Sequence, residues 1–241
     1  MGGDKIDSIG NILERVSQEN AVLVIGAGHF GLRAARILRA GGKEVLMIDM
    51  DSASLAEGIL TGAEVFRSGA VEFLSEHFSR LPPGLTIVPA VPVHLAFEWL
   101  KNNLSESFVL NKIAVPECVS DNMAHWWNAS EGSLLVSYAD FMCPDNCPEP
   151  EYCTVTGEKR ELPLYGLLGR LDVKGFGVLV LRSRQLAPGL GGYSAGDLRA
   201  LADSVAEGAE EKLLICTSCS CHGIITACEV IPTGTGRPRL I

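Results

Sequence analysis

Six of the eight cysteines in this chain of 241 residues are concentrated in two short stretches, while Cys118 and Cys228 stand alone. With a following histidine, seven residues form the patterns C-x3-C-x5-C and C-x2-C-x-C-H: Cys143, Cys147, Cys153, Cys216, Cys219, Cys221 and His222. Thiolates and imidazoles grouped in this way are ligands for zinc or for an iron–sulfur cluster. The spacings match neither a standard zinc ribbon nor a standard ferredoxin run, so reduced structural thiols and a redox-exchangeable disulfide remain open alternatives. The sequence predicts a metal centre, zinc or iron–sulfur, held by these seven residues.

A second chemical signal is a glycine turn between two apolar runs. Ala21–Ile25 leads into Gly26, Gly28 and Gly31, spaced G-x-G-x-x-G, with His29 and Phe30 inside the turn, and a later run ends at Asp49. In this pattern the glycines allow a tight turn, approach of a pyrophosphate and close helix packing, while the acid binds ribose hydroxyls. The pattern predicts dinucleotide binding by Gly26, Gly28, His29, Phe30, Gly31 and Asp49.

Residues 21–51 resemble the nucleotide-binding half of Rossmann proteins, especially the TrkA-N type of potassium-uptake regulators and the saccharopine-dehydrogenase-like enzymes. This resemblance implies binding of NAD(H) or NADP(H), with Gly26, Gly28, Gly31 and Asp49 at the matching positions. Asp49 favours NAD, because its carboxylate would repel the 2′-phosphate of NADP. The resemblance covers only these residues and does not choose between an enzyme and a regulator.

Three further residues could act on a substrate. His94 follows an apolar run and could be a general acid or base, or a hydrogen-bonded structural histidine. Arg182 and Arg184 follow another run and could clamp a small anionic substrate bidentately, or be solvated on the surface. We name these three residues as the catalytic candidates.

The elements that must position these residues alternate between apolar strand-like runs and helical stretches. This alternation predicts an α/β fold with a doubly wound, mostly parallel sheet of Rossmann type and a cysteine-rich loop insertion over 142–163. An amphipathic helix is predicted over 4–19, another helix over 117–131 and a loosely ordered tail after residue 232. We expect a dinucleotide-binding half over 1–105 and a continuous cysteine-bearing half over 106–241.

Ligands of open α/β sheets bind at the carboxyl ends of the strands. The cysteines, the arginines and His94 all follow predicted strands. If those strands are parallel, the residues meet at the edge of the sheet that carries the glycine turn. The sequence therefore predicts a shared site.

Composition limits the partners. The formal net charge of -9 argues against nucleic acid and against an anionic membrane surface. No apolar stretch is long enough to span a bilayer and the first residues lack a signal core, which predicts a cytoplasmic protein that binds a small molecule. A homodimer is compatible with the sequence, which does not determine the oligomeric state.

The leading hypothesis is a cytoplasmic NAD-dependent oxidoreductase with a cysteine-ligated metal centre near the nicotinamide end. Hydride chemistry would come from the dinucleotide. The alternative is a TrkA-N-like regulator that senses nucleotide or redox state without turnover. A third hypothesis is a purely structural metal site in a nucleotide-binding scaffold.

Overall fold

The structure, a computed structural model, describes residues 20–129 and 131–234 and divides into two compact units. The first unit comprises the residues up to Leu95 together with Gly192–Leu198, and the second comprises Ala96–Gly191 and the residues from Arg199 onward. The sequence predicts a division near residue 105, whereas the structure has it after Leu95 and includes the later segment Gly192–Leu198 in the first unit. The helix predicted over 4–19 and nearly all of the predicted tail lie outside the described residues.

The first part of the chain alternates between strand and helix. Its elements are β1 (Ala21–Ile25), α1 (His29–Ala40), β2 (Glu44–Asp49), α2 (Ser52–Leu60), β3 (Glu64–Arg67), α3 (Ala70–His77), a 3-10 turn (Phe78–Arg80) and β4 (Thr86–Pro89). All five residues of β1 are buried. Burial along a whole strand is typical of a parallel strand covered on both faces, and it explains the unbroken apolar run.

The rest of the chain is richer in strands. Its elements are α4 (Leu95–Asn103), β5 (Phe108–Ile113), α5 (Glu117–Ser120), β6 (His125–Asn128), β7 (Leu134–Ser137), α6 (Leu164–Leu168), β8 (Gly177–Arg182), β9 (Arg184–Ala187), β10 (Leu190–Ser194), α7 (Ala195–Glu207), β11 (Lys212–Ser218) and β12 (His222–Pro232). The predicted helix over 117–131 is wrong for most of its length, since only α5 is helical. Trp126 and Trp127 lie in β6, in keeping with the preference of aromatic side chains for strands.

In the first unit, four strands pair in parallel in the order β3-β2-β1-β4. Tyr193 and Ser194 of β10 pair antiparallel with β4. Ser194 then caps α7, because its hydroxyl accepts the N–H of Asp197 at 3.0 Å while its own N–H donates to the Asp197 carboxylate at 3.2 Å. This reciprocal pair of hydrogen bonds fixes the start of the helix.

In the second unit, the eleven-residue strand β12 organises a mixed sheet in the order β6-β7-β12-β11-β8. One side of β12 pairs antiparallel with β11, and the other side pairs antiparallel with β7 at its beginning and with β5 further along. β8 is parallel to β11, and β6 is antiparallel to β7. Because β5, β7 and β11 all oppose β12, they run in the same direction as one another.

This topology decides which strand ends meet. β7, β8 and β11 all end near the beginning of β12, at one edge of the sheet. β5 instead ends at Ile113 opposite Ala227, half-way along β12, because β7 occupies the remaining length. Residues that follow β5, including Cys118, therefore leave the sheet away from that edge.

The structure confirms the α/β class. The sheet of the second unit is mixed, whereas the sequence predicts a mostly parallel one. β12 follows β11 through a short turn instead of a crossover helix, and two strands joined by a short turn can pair only antiparallel. Among the described residues, no helix is long and apolar enough to cross a membrane.

Candidate functional site

The glycine turn of the first unit depends on two close backbone approaches. Gly26 has a φ of 104°, and a Cβ there would overlap the carbonyl oxygen of Ala90. A Cβ at Gly31 would overlap the carbonyl oxygen of Gly26. Only glycine satisfies both positions, one for its left-handed conformation and one for the contact between helix and turn.

Gly28 is different, because a Cβ there would meet no atom within 4 Å. It is exposed, and it is the N-cap of α1 without a side-chain cap. The first turn of α1 itself contains no acidic residue, so the N–H groups at the start of the helix keep their positive partial charge. His29 and Phe30 are exposed beside it, their rings in edge contact with centroids 5.3 Å apart. The packing of the protein does not explain the glycine at position 28.

Asp49 is fixed against this turn. Its carboxylate accepts the N–H of Ala27 at 2.6 Å and the N–H of Asp51 at 2.8 Å. Asp51 in turn caps α2 by accepting the hydroxyl of Ser54 and the N–H groups of Ser54 and Ala53, and these hydrogen bonds hold the pKa of Asp51 below its usual value. Each carboxylate oxygen of Asp49 keeps a further lone pair for a ligand hydroxyl.

His94 lies just after β4 and is 2 % exposed. A side chain buried to that extent is not open to a substrate from solvent. Such burial is typical of a hydrogen-bonded structural histidine, and the role of general acid or base stays a prediction.

The second unit contains a cavity of about 460 Å³ lined by four thiols. The four are Cys143, Cys147, Cys153 and Cys221, drawn from the proline-rich segment and from the turn between β11 and β12. Arg160 and Tyr138 line the same cavity. Arg160 donates to the carbonyl oxygen of Pro150, which places its guanidinium within the proline-rich segment.

Backbone hydrogen bonds hold the turn of Cys221 against the strand that precedes the proline-rich segment. The N–H of Tyr138, just after β7, donates to the carbonyl of Cys221 at 3.0 Å, and Ser137 pairs with His222. At the beginning of α6, the N–H of Leu164 donates to the carbonyl of Ser220 at 2.9 Å. The edge where β7 and β11 end thus brings the two cysteine groups together.

The segment between Cys143 and Cys147 is held by a second glycine turn. Gly189 has a φ of 68°, donates its N–H to the carbonyl of Cys147 at 2.7 Å, and has no room for a Cβ against the carbonyl of Asp145. The side chain of Gln185 donates to the same carbonyl of Cys147 at 3.0 Å. The role of Gly189 is to let two backbone segments meet.

Glu149 joins the proline-rich segment to the turn after β11. Its carboxylate accepts the N–H of Ser220 at 3.1 Å, and its φ of 48° is a left-handed value that only a few side-chain-bearing residues adopt. Burial raises the pKa of Cys219 to about 12, and the charge and hydrogen bonding of Glu149 act in the same direction. Cys219 is therefore a protonated thiol at neutral pH.

His222 lies between two sulfurs. Its Nε2 is 3.6 Å from the sulfur of Cys143, and its Nδ1 is 4.0 Å from the sulfur of Cys219. The sulfur of Cys219 also accepts the N–H groups of Cys221 and His222 at 3.5 and 3.4 Å. Burial lowers the pKa of His222, with Arg160 acting in the same direction and Glu149 opposing it, so the imidazole is neutral at pH 7.

The cavity thiols differ in acidity. Backbone N–H groups of Thr156 and Val155 hold the pKa of Cys153 below its usual value. Burial raises the pKa of Cys143, and raises that of Cys221 to about 12, while Arg160 lowers both in part. Of Cys143, Cys153 and Cys221, Cys153 is accordingly the thiol that ionises most easily.

The structure does not bring all the predicted residues to this cavity. Cys216 is fully buried in an apolar core with Leu214 and Ile225, and burial raises its pKa to about 12. Arg182 is exposed and stacks on the ring of Tyr165 at 4.2 Å, and Arg184 is also exposed. Within the described residues, no group of three His, Cys, Asp or Glu side chains is already arranged around a single metal position.

Three residues of this region, Glu149, Arg160 and Gly189, were not predicted from the sequence. Glu149 stands between Pro148 and Pro150. A charged residue between two prolines is the sequence feature that could have identified it. Gly189 lies in a glycine-rich stretch, but its contact with the cysteine segment depends on a fold that brings distant positions together. Nothing in the sequence around Arg160 distinguishes it from a surface arginine.

A model of the AF_1314_C family, described as the C-terminal domain of an uncharacterized protein, matches residues 96–231. The chain belongs to this family. The AF_1314_C match begins at the first residue of the second unit and contains all eight cysteines, whereas the glycine turn precedes it. A relative from Archaeoglobus fulgidus, described as an uncharacterized protein, is 30 % identical over 220 residues, covering 85 % of this chain and 97 % of the relative. No solved structure matches the chain.

Proposed function

We propose that the first unit binds NAD(H) and that the protein is an oxidoreductase that uses this dinucleotide. The observation that carries the proposal is the open space at Gly28, where the protein's own packing leaves room for a side chain and the residue is nevertheless glycine. A pyrophosphate lying against the backbone would fill that space. The uncapped start of α1 supplies N–H groups and a positive dipole end for the same phosphates.

Two further features support the same ligand. Asp49 stands at the end of β2, where an acidic residue binds the ribose hydroxyls of NAD. The strand order β3-β2-β1-β4 agrees with one half of a doubly wound dinucleotide-binding sheet, so we extend the proposal to a Rossmann-type fold for this unit. NAD(H) would supply hydride transfer when bound. The contribution of the chain is to bind the phosphates at α1 and to orient the ribose at Asp49.

Gly28→Ala tests the proposal without disturbing the turn. The backbone at Gly28, with φ of -71° and ψ of -170°, accepts alanine, and the added Cβ meets no protein atom. Gly84→Ala is the matched control, because Gly84 is exposed in the same unit and also has open space. Calorimetric titration with NADH should show binding weakened about tenfold or more in Gly28→Ala, equivalent to about 1.4 kcal/mol, and unchanged in Gly84→Ala. Absence of NADH binding by the unmodified protein, or equal affinity in both variants, would overturn the proposal.

The alternative function, a regulator, would bind NADH at the same glycine turn but would not consume it. A sensor would change its oligomeric state when NADH binds, without consuming it. Light scattering with and without NADH, together with NADH absorbance over time in the presence of small 2-oxo carboxylates and phosphorylated aldehydes, whose carbonyl groups can accept the hydride, separates the two. The choice of anions follows from the exposed Arg182 and Arg184. NADH consumption with any of them supports the oxidoreductase, and a change of oligomeric state without consumption supports the regulator.

A further inference from the structure

We propose that Cys143, Cys147, Cys153 and Cys221 bind one metal centre, a zinc ion or an iron–sulfur cluster, through their four sulfurs. The residues of this site lie wholly within the second unit, so the proposal can be tested apart from dinucleotide binding by the first. Four-thiolate coordination is the preferred environment of both kinds of centre.

The shared cavity is the first support for this ligand set. The four cysteines come from two chain segments more than sixty residues apart, yet all four line one cavity of about 460 Å³. Thiols that only fill core space do not need to converge on a void. A void lined by four soft donors is suited to a soft metal.

The charge and hydrogen bonding around the cavity are the second support. Four thiolates around a metal leave net negative charge, and the guanidinium of Arg160 lines the same cavity. Two backbone N–H groups, from Val155 and Thr156, are directed at the sulfur of Cys153. The imidazole of His222 lies 3.6 Å from the sulfur of Cys143 and can donate to it. Such outer contacts stabilise thiolate ligands and orient them.

The remaining candidates are excluded by their surroundings. Cys216 is buried in the apolar core, and Cys118 follows β5, away from the edge that carries the cavity. Cys219 does not line the cavity, and its thiol is hydrogen-bonded to Glu149. Cys219 therefore stands outside the ligand set, and Cys221 is the fourth ligand. His222 does not line the cavity either, and it contacts the sulfur of Cys143 from outside the ligand set.

The test uses the full chain, purified without oxygen. Metal analysis and a visible spectrum should give either roughly one zinc ion without colour, or iron and sulfide with the charge-transfer absorption of a cluster. Chemical alkylation mapped by mass spectrometry should show the four proposed ligands protected in the metal-bound protein and modified after chelation. Cys118, which is exposed, should react in both states.

Variants decide the fourth ligand. Cys221→Ser should lose at least about half of the bound metal, whereas Cys219→Ser and the control Cys118→Ser should keep it; circular dichroism checks that each variant is folded. If Cys221→Ser fails to fold, the metal content of this variant is not informative. The alkylation experiment on the unmodified protein then decides, because it shows directly whether the bound metal protects Cys221. Two results together would overturn the proposal. The purified protein would contain no zinc and no iron, and the four thiols would stay reactive after addition of zinc or of iron with sulfide. Protection of Cys219 with Cys221 left reactive would overturn the assignment of the ligand.

Discussion

The carboxylate of Glu149 accepts the backbone N–H of Ser220 at 3.1 Å, although the two residues are 71 positions apart in the sequence. This bond fastens the proline-rich segment, which carries three cysteines, to the turn that carries Cys219 and Cys221. Glu149 adopts a left-handed backbone to reach it, with a φ of 48°. Backbone strain of this kind is retained where the surrounding contacts determine it and is concentrated at functional sites.

Replacing Glu149 by glutamine should make Cys219 more acidic. The amide of Glu149→Gln can still accept the N–H of Ser220, but it no longer carries the negative charge that raises the pKa of Cys219. The pH dependence of Cys219 alkylation in the metal-free protein should shift to lower pH, while the pKa of the core thiol Cys216 stays as it was. An unchanged profile for Cys219 would show that burial alone sets its acidity.

Gly31→Ala should destabilise the protein strongly. The added Cβ would overlap the carbonyl oxygen of Gly26, so helix α1 must move away from the turn. Crowding of a packed site costs about 1–3 kcal/mol or more. Urea unfolding should show this loss for Gly31→Ala, whereas Gly28→Ala, with open space, should change stability by less than about 0.5 kcal/mol. Equal stability of the two variants would contradict the described packing.

Asp49→Asn should reduce the preference for NADH over NADPH. Asparagine keeps one oxygen acceptor for the N–H of Ala27 or Asp51, but it removes the charge that repels a 2′-phosphate. Asp49→Ala should weaken NADH binding too, yet it also removes both backbone hydrogen bonds, which makes asparagine the cleaner substitution. Parallel titrations with NADH and NADPH measure the ratio of affinities. If this ratio is the same in Asp49→Asn and in the unmodified protein, Asp49 does not select the dinucleotide.

Stability of the metal-free protein should fall as pH rises above about 9. Burial raises the pKa of Cys216 to about 12 and that of Cys228 to about 11, from the ordinary thiol value of 9.0. Between pH 9 and the raised pKa of each thiol, the folded protein keeps a proton that the unfolded chain has lost. The contribution of each thiol to stability is therefore complete below pH 9 and is lost progressively above it. Each buried thiol should contribute a slope of about 1.4 kcal/mol per pH unit. Urea unfolding in reductant over this range measures the slope.

Cys216→Ala is the control for that slope. It removes one buried thiol from the apolar core, so the decline of stability with pH should become shallower in this variant. A slope equal to that of the unmodified protein would mean that Cys216 ionises as readily in the folded state as in the unfolded state. The same variant should retain the metal, because Cys216 is not among the proposed ligands.

The local elements of the first unit were predictable from the sequence. The apolar runs that became β1 and β2, the helix between them and the position of Asp49 are set by interactions between neighbouring residues. Glycine spacing identifies the turn because the requirement for a left-handed or crowded backbone is local. The sequence also identified the cysteine-rich segment as irregular, since its prolines exclude regular structure.

The tertiary structure alone decided which cysteines share a cavity. Cys216 and Cys221 are five residues apart in one motif, yet one faces the apolar core and the other a cavity, because a strand continues through Cys216 and ends before Cys221. Cys118 follows a strand as Cys143 does, but β5 ends half-way along β12. Spacing along the chain reports which residues can be neighbours within one element. Which elements meet, and at which edge of the sheet, depends on long-range strand pairing. The register of β12 with its partner strands determines which four thiols line the cavity.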